Sequence, residues 1–465
     1  MRTIFVRLAM LPLALALLAG CPDRTISEVN PEQGRVEYKN IPVTVNRDID
    51  ILFVIDNSKS MEDKQENLVA NFPDFINVLQ TIPGGLPNVH IGVVTTDMGA
   101  KATRDPTPAT GVSGCTGSGE DGRLRTHPSI SGSFISDIDP GTGVRSKNYS
   151  GDLATVFRQL AKVGDTGCGF EQHLESMKRA LTNPANNGFV RRDAYLAVIF
   201  IADEDDCSMA RTAMLGPESA ALGTLQSFRC TRFGVTCDQN GSTTDAMKQV
   251  GSKGQCHPND SSPYLETVQS YVDFLKGLKA DPKLLIVAGV LGTTEPFQVE
   301  LRAPLGQTAV EPALAHSCSY TGSRGLEVAD PPIRLKYFLD QFPDRSTFTT
   351  ICQRNLADAL EKIAGLLRII IGDPCMQGLP ADVDPQTPGP QYDCVVSDLQ
   401  KPGTAEAVET VIPACNASLL NKPCWHIAVD ADRCPADDQL ALKIERAVDP
   451  PADTHIIANC VTEAN

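Results

Sequence analysis

Three short stretches of the chain carry residues whose types and spacing suit the binding of a hard cation. Residues 51–60 read Ile-Leu-Phe-Val-Ile-Asp-Asn-Ser-Lys-Ser, an apolar run that ends in Asp56, Ser58 and Ser60. An aspartate and two hydroxyls at the end of a buried strand form a compact set of oxygens for a divalent cation. Open α/β sheets bind their ligands at that edge. The second stretch, Gly164-Asp165-Thr166-Gly167-Cys168-Gly169, is a glycine-rich turn ahead of a helix, with Thr166 at its centre. The third is residues 195–202, the strongest buried-strand signal in the chain, which runs into Asp203-Glu204-Asp205-Asp206. Asp and Ser before a helix are usually caps and turn residues. The metal-site reading therefore rests on three pieces in the right order, not on the Asp-x-Ser-x-Ser cluster alone.

Catalytic signals are sparse. The seven histidines (90, 127, 173, 257, 316, 426 and 455) form no His-x-x-x-His zinc helix, and there is no Gly-x-Ser-x-Gly elbow. No Gly-x-x-x-x-Gly-Lys-Ser/Thr loop is present, so nucleotide binding is not expected. No Cys-x-x-Cys pair occurs to suggest zinc. His173, on a predicted helix face, and His426, beside Trp425, are expected to serve packing or the surface.

The elements that must position the three stretches alternate. A strand at 51–55 leads into a helix starting at Ser60, with Leu68, Phe72, Phe75, Ile76 and Leu79 at helical spacing. Pro73 is expected to kink or split that helix. A strand at 89–95 is followed by a Gly/Ser/Thr/Asp-rich insertion near 98–151 holding a short strand about 133–135. Helices at 153–163 and around Leu174 and Met177 precede the 195–202 strand. A second insertion near 207–262 carries four cysteines. Helix 264–278, strand 284–291, an irregular stretch with Cys318, helix 333–342, strand 347–351 and helix 356–370 complete the pattern. Strands alternating with helices imply an α/β fold, a doubly wound, mostly parallel sheet covered on both faces, over residues 48–371. Residues 372–465 hold six cysteines and the single tryptophan, and read as a small cysteine-rich C-terminal domain stapled by disulfides.

The first twenty residues carry Arg2 and Arg7 and then an apolar run too short to span a bilayer, the layout of a signal peptide over 1–20. The run ends Leu18-Ala19-Gly20-Cys21 and resembles the lipobox of bacterial lipoproteins, which implies that Cys21 is acylated and begins the mature chain. An ordinary signal peptide with an unrelated cysteine is the alternative. Of the 15 cysteines, setting Cys21 aside leaves an even fourteen, eight before residue 372 and six after, so each region can pair internally. Residues 21–47 read as a lipid-anchored tether with one strand around 42–45. The formal net charge of −16 becomes more negative once 1–20 are removed, which disfavours nucleic acid and anionic lipid headgroups as partners. Membrane contact is expected through the lipid on Cys21, at the bacterial cell envelope, on the periplasmic face or the cell surface, with the outer membrane favoured.

Asp56, Ser58 and Ser60, then Thr166, then Asp203 together resemble a von Willebrand factor type A domain, over residues 48–370. The resemblance implies a metal-ion-dependent adhesion site at the top of the sheet. Ser58 and Ser60 would ligate the metal directly, Thr166 directly or through water, and Asp56 and Asp203 mostly through bound waters. Neutral hydroxyl ligands leave a cation poorly neutralised, with appetite for a partner's carboxylate. Mg²⁺ is the expected ion, with Ca²⁺ or Mn²⁺ as alternatives, and the expected partner is a protein with an exposed Asp or Glu. Two departures from the family stand out. Glu204 follows Asp203 where the family often has glycine, making Glu204, Asp205 and Asp206 a candidate second cation site against a solvated acidic loop. A bridge from Cys168, with Cys115 as candidate partner, would lock the Thr166 loop. Thr95 and Thr96 compete with Thr166 but lack its turn and following helix, and Asp97 reads as a turn residue. Both insertions are expected to rim the metal. The resulting expectation is divalent-cation-dependent protein binding, adhesion or scaffolding, and not an enzyme. The alternatives are a structural envelope protein whose metal only stabilises the fold, and a secreted hydrolase.

Overall fold

Along a strand, successive side chains point to opposite faces. In β1 (Asp48–Ile55), Ile49, Ile51, Phe53 and Ile55 enter one hydrophobic core while Leu52 and Val54 enter another, so the strand must be covered on both sides. The structure is a computed structural model. It describes residues 35–42 and 47–462 apart from 81–84, 111, 113, 141–143, 305–307, 324, 373, 377–378, 383, 385, 387–388, 402–405, 417, 431–433, 435–438, 449 and 452–453. The predicted leader at 1–20, Cys21 and the tether up to residue 34 lie outside the described residues.

Contact density divides the chain into two units, one of residues 45–373 with 430–439, the other of the N-terminal residues to 44 with 374–429 and 440–465. The larger unit carries a 7-stranded sheet in the order β7 (Ser346–Thr350), β6 (Leu285–Leu291), β5 (Tyr195–Ile201), β1, β2 (Asn88–Thr95), β3 (Ile135–Ile138) and β4 (Ser146–Lys147). The pairings from β7 to β2 are parallel, and β3 and β4 add an antiparallel edge. Helices α1 (Glu62–Gln80), α2 (Leu153–Ala161) and α6 (Ala357–Gly372) pack on the face of Phe53; α3 (His173–Thr182), α4 (Val268–Leu278) and α5 (Ile333–Asp340) pack on the face of Leu52. Each large apolar side chain buried this way contributes roughly 1.5–3 kcal/mol. From β1 the chain steps to β2 on one side and later to β5 on the other, so the order reverses at β1. The carboxyl ends of β1 and β5 flank this switch point, where open α/β sheets bind ligands.

The expected doubly wound sheet is present. Pro73 does not split α1: the helix is continuous from Glu62 to Gln80, and Leu68, Phe72, Phe75, Ile76 and Leu79 on both sides of the proline share one core. The second insertion is also more ordered than its composition suggests, with a helix Phe228–Gly234 and an antiparallel pair Val235–Gln239 and Gly254–Pro258. Among the described residues no helix is long and apolar enough to cross a membrane.

In the other unit, strand Thr454–Thr462 pairs antiparallel with Arg35–Pro42 on one side and with Cys394–Gln400 on the other, and Cys394–Gln400 pairs with Val408–Ile412. A tether with a strand near 42–45 was expected here; residues 43–46 lie outside the described residues, and a strand at 35–42 is a member of the cysteine-rich unit's sheet. A tether has no hydrogen-bonding partner in sequence, so this pairing was invisible there. Cys394 bonds Cys460 and Cys415 bonds Cys424. Trp425 is buried with Met376, Val396 and Leu442, a core residue as expected. All fourteen cysteines after Cys21 are in disulfides.

Candidate metal centre

β1 and β5 end side by side, with Ile55 opposite Ile201, and the Asp56 amide donates to the Ile201 carbonyl at 2.9 Å. Asp56 and Asp203 therefore leave the sheet together at the switch point, both buried. The Ser58 amide donates to Asp56 Oδ1 at 2.7 Å, which turns the chain back over the strand end. Ser58 Oγ lies 2.9 Å from Ser60 Oγ, and Ser60 Oγ donates to Asp203 Oδ1 at 3.0 Å. Asp56, Ser58, Ser60 and Asp203 thus form one connected group of oxygens. Asp56 Oδ2 is buried with no hydrogen-bond partner. Burial first, and then the neighbouring Asp203 carboxylate, push the Asp56 carboxyl up to about 8. A cation among these oxygens would relieve both costs, the lost hydration and the like-charge repulsion.

The Thr166 turn is brought to the same place. The Gly167 amide donates to the Asn57 carbonyl at 2.8 Å, the Gly164 amide donates to Gln65 Oε1 at 3.1 Å, and Lys59 Nζ pairs with Asp165 at 2.6 Å. The fit allows no side chain at 167, since a Cβ there would lie 2.3 Å from Asn57 Oδ1. Thr166 itself is exposed. Cys168 is bonded to Cys115, the pairing anticipated, which ties this turn to the first insertion. Asp97 is a turn residue: Oδ1 accepts from the Gly99 amide at 2.7 Å, and the Cys168 amide also donates to its carboxylate. Thr95 and Thr96 are buried, each with an unpartnered Oγ1.

Sequence reasoning missed Lys64. Its ammonium, buried one turn into α1, lies 2.9 Å from Asp203 Oδ2, 3.1 Å from Glu327 Oε2 and 3.0 Å from the Ser60 carbonyl. Burial lowers its pKa, yet Asp203 and Glu327 outweigh burial and hold it above the usual lysine range. Glu327 sits on a hairpin, Cys318–Thr321 with Leu326–Ala329, anchored by the Cys318–Cys352 bond. A lysine four residues after Ser60 is ordinary in a helix's first turns. Only the fold puts the hairpin opposite it.

The candidate second cation site does not assemble. Asp205 accepts from the Arg334 and Leu335 amides at 2.9–3.1 Å, capping α5. Asp206 pairs with the buried Arg334 guanidinium at 3.0 Å and accepts from the Leu174 amide at 2.9 Å. Their oxygens are spent on helix ends, and Glu204 points elsewhere, into a cavity with Glu171 and Asp330. Burial, then Asp330, Asp203 and Asp56, hold the Glu204 carboxyl well above the usual range. His173 is a packing residue: burial takes it down to about 4, and both ring nitrogens are without partners.

Both insertions lie over the carboxyl edge and share a core built on Ala100, Cys115, Cys168, Phe170, Cys207 and Met209. Gln172 joins them, its Nε2 donating to the Lys101 carbonyl at 2.9 Å and its Oε1 accepting from the Met209 amide at 3.0 Å. Among the described residues no three His, Cys, Asp or Glu side chains gather closely enough to hold a metal by themselves. A cation at Asp56 and Asp203 would therefore take part of its shell from hydroxyls. The all-oxygen donor set and the orphaned Asp56 Oδ2 fit a hard divalent ion.

No family model matches the chain. No curated protein matches it either. Among solved structures, it is similar to the conserved hypothetical protein BatB from Bacteroides thetaiotaomicron at 10% identity and a TM-score of 0.29, over 69% of this chain and 98% of that one. The human COPII-coat protein Sec24c matches at 10% identity and TM-score 0.29, over 92% of this chain and 42% of its own. The pilus adhesin RrgA from Streptococcus pneumoniae matches at 10% and 0.20, over 93% and 58%. Likenesses at these scores carry no argument about function.

Proposed function

We propose that this chain is a lipid-anchored protein of the bacterial cell envelope that holds a divalent cation, Mg²⁺ before Ca²⁺ or Mn²⁺, and uses it to grip a carboxylate on a protein partner. The observation that carries this is the unpartnered, buried Asp56 Oδ2 beside the Ser58–Ser60–Asp203 chain of hydrogen bonds. The parallel sheet, its antiparallel edge and the switch point between β1 and β5 support reading residues 48–370 as a von Willebrand type A domain. A bound cation supplies unneutralised positive charge at an exposed edge. The residues of this chain do the rest: Ser58, Ser60 and Thr166 offer hydroxyls, Asp56 and Asp203 set the charge, and the Cys115–Cys168 bond holds the Thr166 turn in place. We assign no catalytic residue. The lipobox reading of Cys21 places the unit outside the cytoplasm, and loss of metabolic palmitate labelling in Cys21→Ala tests it.

The deciding experiment is capture of partners from envelope extract in Mg²⁺ against EDTA, with wild type, Asp56→Ala and Ser58→Ala, alongside melting curves. Capture that needs Mg²⁺ and disappears in both variants, with little change in melting temperature, supports binding through the metal. A large fall in melting temperature with capture intact would instead make the metal a structural one.

A further inference from the structure

A second group of carboxylates lies beyond Asp203, outside the metal centre. Glu171, Glu204 and Asp330 line a partly enclosed cavity of about 80 Å³, whose remaining wall combines Phe228, Ala313 and Leu314 with the polar Gln226, Ser227 and Arg302. Glu171 is 1% exposed, and its Oε1 is buried without a hydrogen-bond partner. An isolated buried carboxylate is among the costliest groups a fold can keep. Its neighbours do not supply the missing charge. Asp330 is engaged by His316 Nδ1 at 2.6 Å, and Arg302, which also lines the cavity, donates to the Leu314 carbonyl at 2.7 Å. Among the described residues, Glu171 and Glu204 therefore have no ion-pair partner where they line the cavity, and Glu204 accepts a hydrogen bond from Ser227. Among the described residues the three carboxylates do not gather closely enough to hold one metal ion together, whereas the apolar part of the wall suits an alkyl stem.

We propose that this cavity binds an alkylammonium group, the ammonium between Glu171 and Glu204 and the chain along Phe228 and Leu314. The same chemistry arises from a free amine or from a lysine on a protein. The proposal does not depend on a cation at Asp56.

The test is isothermal titration of the full mature protein with n-butylammonium and, separately, with acetyl-Gly-Lys-Gly-amide. Saturable binding of n-butylammonium is expected, weakened at least tenfold in Glu171→Gln and in Glu204→Gln. Ala313→Leu fills the cavity from the opposite wall without changing charge and should abolish binding even if a glutamine variant folds poorly. Ser58→Ala should bind as wild type does, which separates this site from the metal centre. If the peptide binds comparably, the source is a protein lysine; if only the free amine binds, it is a small molecule. No saturable binding of either, or binding equal in Glu171→Gln, Glu204→Gln and Ala313→Leu, overturns the proposal. So does Ca²⁺ binding, measured in the Ser58→Ala background, that is lost in Glu171→Gln while the amine fails to bind.

Discussion

Replacing Lys64 by methionine keeps the length of the side chain and removes only its charge. The ammonium and the Asp203 carboxylate are 1% and 2% exposed and 2.9 Å apart, so Lys64→Met leaves Asp203 buried beside Asp56 with no counter-charge. Removing one member of a buried ion pair costs about 3–5 kcal/mol, since the survivor remains desolvated and alone. Glu327 at 3.1 Å is more exposed and adds little once water reaches it. In EDTA, urea unfolding of the variant should therefore show a loss of about 3–5 kcal/mol against wild type. A divalent ion at Asp56 and Asp203 would take over the role of the ammonium. Mg²⁺ should then restore most of the loss and bind the variant more tightly than wild type by calorimetry. A variant as stable as wild type in EDTA would refute the burial argument; one rescued by no divalent ion would refute the metal centre.

Other perturbations have defined outcomes. His173 is held neutral with its pKa at about 4, below the ordinary 6.5, so its stabilising contribution is complete above pH 6.5 and is lost as pH falls toward 4. Between pH 7 and 5 wild type should lose about 2 kcal/mol more in urea unfolding than His173→Leu; an equal loss in both would disprove the assignment. Gly167→Ala drives a Cβ into Asn57 Oδ1, and should cost about 1–3 kcal/mol and weaken Mg²⁺ binding measured by calorimetry. Opening the Cys115–Cys168 bond with a double alanine variant releases a loop of 53 residues, with an expected loss of about 4 kcal/mol in urea unfolding and faster amide exchange at 164–169.

Much of the site was legible because its parts are local. Asp56, Ser58 and Ser60 are fixed by spacing to one strand end, and Asp203 follows the most apolar strand of the chain, so their adjacency follows once the two strands pair. Thr166 was less legible: its turn arrives through the Gly167 contact with Asn57, and its hydroxyl remains exposed. The acidic run after Asp203 misled, because four consecutive carboxyl positions look alike in sequence. Helix ends claim Asp205 and Asp206, Ser60 engages Asp203, and Glu204 is left to the cavity.

The sequence by itself determined the alternation of strands and helices, the cysteine parity and the oxygen-bearing strand ends, because each depends on periodicity or on neighbours a few residues apart. Tertiary structure alone decided the charge around those oxygens. Lys64, Glu327, Glu171 and Asp330 come from a helix turn, a hairpin and separate loops, and electrostatic energy depends on distance and burial, which chain order does not encode. The strand at 35–42 shows the same limit, since its pairing partner lies at the far end of the chain.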